Sequence, residues 1–132
     1  MDFVSTRLIT ADIDRLVGFY EAVTGIRAVW ASADFAELRT AHGTLAIGST
    51  GTVALFAPGA AHPADNRTAI IEFLVDDVDA RYEQLRGVVQ DVVTVPTTMP
   101  WGNRALLLRD PDGNLVNLFT PVTTEAIAKF SR

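Results

Sequence analysis

The chain contains no cysteine. That excludes disulfides, thiolate nucleophiles and thiolate metal sites, and it suits a reducing compartment. Clustered Lys and Arg are also missing, and the formal net charge is −5. The electrostatic footprint of a nucleic-acid binder is therefore absent, and no nucleic-acid partner is expected. No apolar run approaches the roughly 20 residues that a membrane-spanning helix needs. The opening Met-Asp-Phe-Val-Ser-Thr-Arg lacks the charged-then-apolar layout of a signal peptide. We expect a cytoplasmic location and no membrane partner. Histidine is scarce: His42 falls in a turn and His62 in a connector, neither with a ligand partner at a motif spacing. There is no Gly-rich phosphate loop and no Gly-x-Ser-x-Gly elbow, and Ser5, Ser32 and Ser49 have no histidine beside them.

What is present reads as one folded domain: 132 residues, 48% hydrophobic and 20% charged, enough to bury a core. Residues 3–10 read as a strand. Asp12 then caps a helix whose Ile13, Leu16, Val17 and Tyr20 form one apolar stripe, and Gly25 ends it. Strands follow over 26–32, 35–40 and 44–49, the last poorly supported because it holds Ala46 and Gly48. Residues 50–67 connect, with a short helix or strand at 53–56. The pattern then restarts. A strand over 68–75 precedes a helix capped by Asp77, with Val78, Tyr82 and Leu85 on one face and Gly87 at its end. A strand over 88–95 and a loop over 96–103 lead to a hairpin of 104–109 and 115–120. Its turn, Asp110-Pro-Asp-Gly-Asn114, has Pro111 at the first corner and two residues, Gly113 and Asn114, that accept positive φ. Turn chemistry accounts for Asp110, Asp112 and Asn114, which lack the spacing and closing Glu of a calcium loop. The tail over 123–130 suits a last helical turn or two.

The two halves repeat. A shift of 65 positions carries Asp12 onto Asp77, Leu8 onto Phe73, Ile13 onto Val78, Asp14 onto Asp79, Val17 onto Tyr82 and Tyr20 onto Leu85. Each half reads strand-helix-strand-strand-strand. The expected fold is α+β, with module 1 at about 1–57, a connector at about 58–67, module 2 at about 68–122 and a tail at 123–132.

Three motifs carry a resemblance. They are Leu8-Ile-Thr-Ala-Asp-Ile-Asp with Phe19-Tyr20 and Thr24-Gly25; Glu72-Phe-Leu-Val-Asp-Asp-Val-Asp-Ala; and Pro100-Trp-Gly-Asn-Arg with Asp110-Pro-Asp-Gly-Asn-Leu-Val-Asn-Leu. In that order, and on a repeat, they resemble the vicinal oxygen chelate superfamily of glyoxalases, extradiol dioxygenases and bleomycin-resistance proteins. The resemblance implies two βαβββ modules forming a cup-shaped incomplete barrel, and a dimer. In metal-dependent members the cup holds a divalent ion on His or Gln from the first strand of each module and Glu from the last. Here those positions fall at Ser5, Ile70 and Asn117, with the fourth at Ala46, or at Ala54 if the last strand of module 1 is 53–56. Hydrocarbon side chains cannot ligate, and neutral Ser and Asn do not offset an ion's lost hydration. No metal and no cofactor is expected.

Strand alternation puts Arg7 with Ser5 and Ile9, and its repeat mate Glu72 with Ile70 and Leu74, on the face opposite Leu8 and Phe73. The family's cup lies on that face. Arg7 and Glu72 either anchor a ligand or pair with each other or with Glu37 and Arg39 to close the cup; the plain pairing is preferred. Glu72 is also the one candidate for acid–base chemistry. Trp30, Phe35, Trp101 and Phe119 are the aromatics expected near the cup, Trp101 in a loop where a large ring is least needed for packing. The leading expectation is a metal-free protein that sequesters an apolar or aromatic small molecule through Ser5, Arg7, Trp30, Glu37, Glu72, Trp101 and Asn117, as a homodimer. The alternative is an enzyme of the superfamily (a lyase, isomerase or oxygenase) using other metal ligands or Glu72.

Overall fold

The computed structural model describes residues 1–131. The first module runs β1 (Ser5–Thr10), α1 (Ile13–Thr24), β2 (Val29–Ser32), β3 (Phe35–Arg39), β4 (Thr44–Ser49) and α2 (Thr50–Ala54). The second runs β5 (Ile70–Leu74), α3 (Val78–Leu85), β6 (Val92–Thr98), β7 (Asn103–Arg109), β8 (Leu115–Pro121) and α4 (Thr124–Phe130). Each makes its own open four-stranded mixed sheet, ordered β1-β4-β3-β2 and β5-β8-β7-β6, so the repeat read from the sequence is a repeat of βαβββ topology. In both, the first and last strands pair in parallel and the others antiparallel. By compactness the chain divides into Met1–Asn66 with Pro111–Gly113, and the remainder.

The helices form where local chemistry starts and stops them. The Asp12 side chain accepts from the Arg15 N–H at 3.2 Å, and Asp77 accepts from Ala80 N–H at 3.1 Å. Each satisfies a donor that the first helical turn leaves free. Gly25 closes α1 at φ 73, its N–H donating to Glu21 O at 2.9 Å, a conformation that favours glycine. The α1 stripe Leu16, Val17, Tyr20 and Val23 is fully buried and lies against β3 and β4, whose Ala36, Leu38 and Ile47 are equally buried. In the second module Leu106, Leu108, Val116 and Leu118 fill the same role under α3. Each such side chain contributes about 1.5–3 kcal/mol by leaving water.

Several boundaries differ from the sequence reading: β1 starts at Ser5 rather than residue 3, and β5 spans Ile70–Leu74 rather than 68–75. At 53–56 the helical alternative is the one that forms, in part: α2 spans Thr50–Ala54 and buries Val53. The second strand starts at Val29 rather than residue 26. The β6 strand is displaced along the chain to Val92–Thr98, and the loop shrinks to residues 99–102. Pro96 is tolerated inside β6 because β6 is an edge strand and its register shifts between Thr94 and Thr97. Among the described residues no helix is long and apolar enough to cross a membrane.

Candidate functional site

Each sheet has one face under its long helix and one free of it. The ladders fix which residues share the free face. In the first module the rows across the sheet are Ser5–Thr44–Arg39, Arg7–Ala46–Glu37–Val29 and Ile9–Gly48–Phe35. Successive rows on one face are two residues apart along each strand. Ser5, Arg7 and Glu37 are thus brought onto one face, as expected. Trp30 is not with them: it pairs with Ala36, one residue out of step, and lies on the side of α1 at the sheet's free edge, 41% exposed. A register shift between Trp30 and Ser32 follows it.

Arg7 is exposed, and its guanidinium carbon stands 5.1 Å from the centre of the Phe35 ring. Among the described residues it makes no ion pair. Glu37 instead takes Arg39, on its own strand, at 2.9 Å. The plain pairing of Arg7 with Glu37 is therefore not formed, because Arg39 takes Glu37. Ala46 is buried in mid-strand, which puts the fourth family position at Ala46 rather than Ala54. Beside it, Gly48 has a packing reason to be glycine: a Cβ there would stand 2.7 Å from Thr52 Oγ1, because α2 folds back over that end of the face.

In the second module the rows are Ile70–Leu115–Arg109, Glu72–Asn117–Leu107 and Leu74–Phe119–Ala105. Asn117 Nδ2 donates to Glu72 Oε2 at 2.8 Å. This bond joins two residues that the sequence alone leaves at separate positions. Asn117 Oδ1 is shielded from solvent and has no hydrogen-bond partner among the described residues, at a cost of about 1–3 kcal/mol. Glu72 itself is exposed. Trp101 sits in the turn between β6 and β7, closed by Gly102 N–H to Met99 O at 2.9 Å, and is 68% exposed.

One contributor escapes the sequence reading. Phe130, at the end of α4, packs on Phe119 with ring centres 5.1 Å apart. Phe119 and Gly48 hold matching register positions, beside Leu74 and Ile9. So in both modules a short helix after the last strand returns over the same end of the free face. Only the spacing of Ala126 and Phe130 on one helical face hints at it.

The donor chemistry does not fit a metal. The family positions Ser5, Ala46, Ile70 and Asn117 offer one hydroxyl, two hydrocarbons and an amide already bonded to Glu72. Among the described residues no three His, Asp or Glu side chains group so as to hold an ion, and His42 and His62 are both exposed in irregular segments. The perturbed titrating groups lie away from these faces. Arg104 of β7 holds the Asp79 carboxyl of α3 below its ordinary range, and Asp79 in turn raises Arg104.

The model of the Glyoxalase/Bleomycin resistance protein/Dioxygenase superfamily matches residues 2–118. No curated protein matches the chain. Among solved structures, a glyoxalase/bleomycin resistance protein/dioxygenase family enzyme from Burkholderia phytofirmans aligns at a TM-score of 0.80 with 18% identity, covering 92% of this chain and 100% of that one. A protein of unknown function from Agrobacterium tumefaciens aligns at 0.78 with 23% identity, covering 91% and 94%. A glyoxalase/bleomycin resistance protein/dioxygenase from Nocardioides aligns at 0.75 with 21% identity, covering 94% and 85%. At these identities the likeness speaks for the fold.

Proposed function

Because the chain belongs to the Glyoxalase/Bleomycin resistance protein/Dioxygenase superfamily yet lacks the donors a metal centre needs, we propose that it is a metal-free small-molecule binding protein. The observation that carries this is the set Ser5, Ala46, Ile70 and Asn117, with Ala46 located by register and the Asn117 amide bonded to Glu72. An apolar or aromatic ligand is held against a free sheet face. In the first module that face offers the polar groups of Ser5, Arg7 and Glu37; in the second it offers Glu72 with Asn117. Exposed Trp101 offers aromatic surface in the turn of the second module, whereas Trp30, on the α1 side, takes no part in the free face. Sequestration needs burial and orientation rather than bond making, and a few convergent polar groups on an apolar surface suffice for that. The working form we propose is a cytoplasmic homodimer, which light scattering at working concentration checks.

Equilibrium dialysis against a chemically diverse library, read by tryptophan fluorescence, tests the reading. Saturable binding that survives exhaustive chelation supports it; no binder anywhere in the library defeats it. The second reading, an enzyme of the superfamily, draws on exposed Glu72 as an acid–base group. Stoichiometric metal in the purified protein, or turnover lost in Glu72→Gln, would make it the better one.

A further inference from the structure

The free face of the second module carries an anion, Glu72, that no described residue neutralises. Among the described residues Glu72 has one hydrogen bond, from Asn117, and no ion pair. Glu37 faces Arg39, Asp79 faces Arg104 and Glu83 faces Arg86, whereas Glu72 receives an amide, as Asp110 does from Asn114 in its turn. A neutral donor fixes the direction of a carboxylate and leaves its charge in place. Holding it this way leaves Asn117 Oδ1 unpartnered and shielded, which a carboxylate serving only solubility would not require. The two residues flanking Glu72 on its face, Ile70 and Leu74, are 50% and 49% exposed. An oriented charge thus stands between two exposed hydrocarbon side chains.

We propose that Glu72, positioned by Asn117, binds the ammonium group of an organic amine whose hydrocarbon body lies on Ile70 and Leu74. This rests on the reading of the chain as a small-molecule binding protein and names the group its ligand carries. An ammonium brings three donors, and Glu72 keeps Oε1 and a lone pair on Oε2 to accept them. The bond is charge-assisted, and the apolar flanks displace water and strengthen it. The net charge of −5 favours approach of a cation. Asn117 acts through Glu72 and is a positioning residue.

The test compares 2-phenylethylammonium and naphthylmethylammonium with 2-phenylethanol and naphthylmethanol, by NMR titration of the full chain. Wild type is expected to bind each ammonium about tenfold more tightly than its alcohol, with shifts centred on residues 70–74 and the Asn117 side-chain amide. Glu72→Gln removes that preference and leaves the alcohols unchanged. Asn117→Leu reduces it, and Asn117→Gln restores part of it; a thermal melt confirms that each variant is folded. The proposal is overturned if wild type shows no preference or if Glu72→Gln keeps it. Where the probes still bind, the sequestration reading stands without it. If all four fail to bind, the proposal falls, and the dialysis library decides the reading beneath it.

Discussion

Arg7 and Glu72 hold the same place in the two modules and carry opposite charge. Arg7 is the parallel-ladder partner of Ala46, and Glu72 is that of Asn117. Each stands near the middle of its module's first strand, exposed, on the face that the long helix leaves free. One is steadied by an aromatic ring and the other by an amide. Neither is neutralised by an ion pair among the described residues. Exposed charges without an ion pair add little to the fold.

Their removal should therefore cost little stability. Arg7→Leu loses an exposed cation–ring contact, and Glu72→Gln keeps the shape of the side chain. Each is expected to change the unfolding free energy by less than about 1 kcal/mol, read from urea midpoints at constant slope. A loss of more than about 2 kcal/mol in either would mark a buttress of the sheet, and would count against a ligand role for that residue.

The Arg104–Asp79 pair is the reverse case, an interaction that supports the fold. Arg104 Nε and Nη2 donate to Asp79 Oδ2 and Oδ1 at 2.8 and 3.0 Å. Those bonds hold the carboxyl below its ordinary range, against some desolvation. Because the folded value is the lower one, the stabilisation is present above the ordinary aspartate range. It is lost as pH falls through the folded value. The stability gap between wild type and Asp79→Asn should narrow from neutral toward strongly acid pH. An NMR titration should place the Asp79 carboxyl below a normal aspartate, and Arg104→Gln should return it. The pair faces solvent, so high salt should shrink the gap as well.

The parts of this fold that are legible in the sequence are those governed by neighbours along the chain. The caps at Asp12 and Asp77, the stop at Gly25 and the turn at residues 110–114 each depend on a few adjacent residues. The repeat is visible because it recurs at one shift through a strand and a helix. What the sequence hides depends on pairing. Trp30 falls off the Glu37 face because Ala36, not Glu37, is its ladder partner, and the shifts inside β6 carry that strand through Pro96. Gly48 looks like a weak strand residue because Thr52 of α2, which fills the space beside it, joins only in three dimensions. At the site, alternation alone places Arg7 and Glu72. The bond from Asn117 to Glu72 needs the register of β5 on β8.

Gly102 marks where α4 is fastened. It is buried at φ 95, and its carbonyl accepts from Val122 N–H at 2.8 Å. A Cβ there would run into the Thr123 side chain and stand 3.1 Å from Ala126 Cβ. Gly102→Ala combines an unfavourable φ with overpacking, and should cost at least about 2 kcal/mol. Gly113 is the control. Its φ is 83, and a Cβ added there would meet nothing within 4 Å, so Gly113→Ala should cost only about 1 kcal/mol. Hydrogen exchange at the Ala126 and Ile127 amides should accelerate in Gly102→Ala and not in Gly113→Ala. Equal exchange in both would show that α4 is not held through this contact.

The turn at the end of β7 is built on a buried pair. Asp110 and Asn114 are 5% and 4% exposed. Asp110 Oδ1 accepts the Asn114 N–H at 3.0 Å, and Oδ2 accepts Asn114 Nδ2 at 2.8 Å. The Asp110 N–H donates to Asn114 O at 3.0 Å, closing the loop in the other direction. Asp110→Ala removes the carboxylate that accepts from the Asn114 N–H and Nδ2, and should cost about 2–3 kcal/mol. Asn114→Asp is the sharper variant. It keeps the size of the side chain, removes the Nδ2 donor and sets a second carboxylate against the first. Two such groups side by side disfavour double ionisation, so one of them should titrate well above a normal aspartate. Its folded value being raised, Asn114→Asp should be least stable relative to wild type at neutral pH and recover as pH falls through that value. Thermal melts of both proteins across the acid range decide it: a deficit that stays constant with pH would mean the lost donor, and not the paired charge, sets the cost.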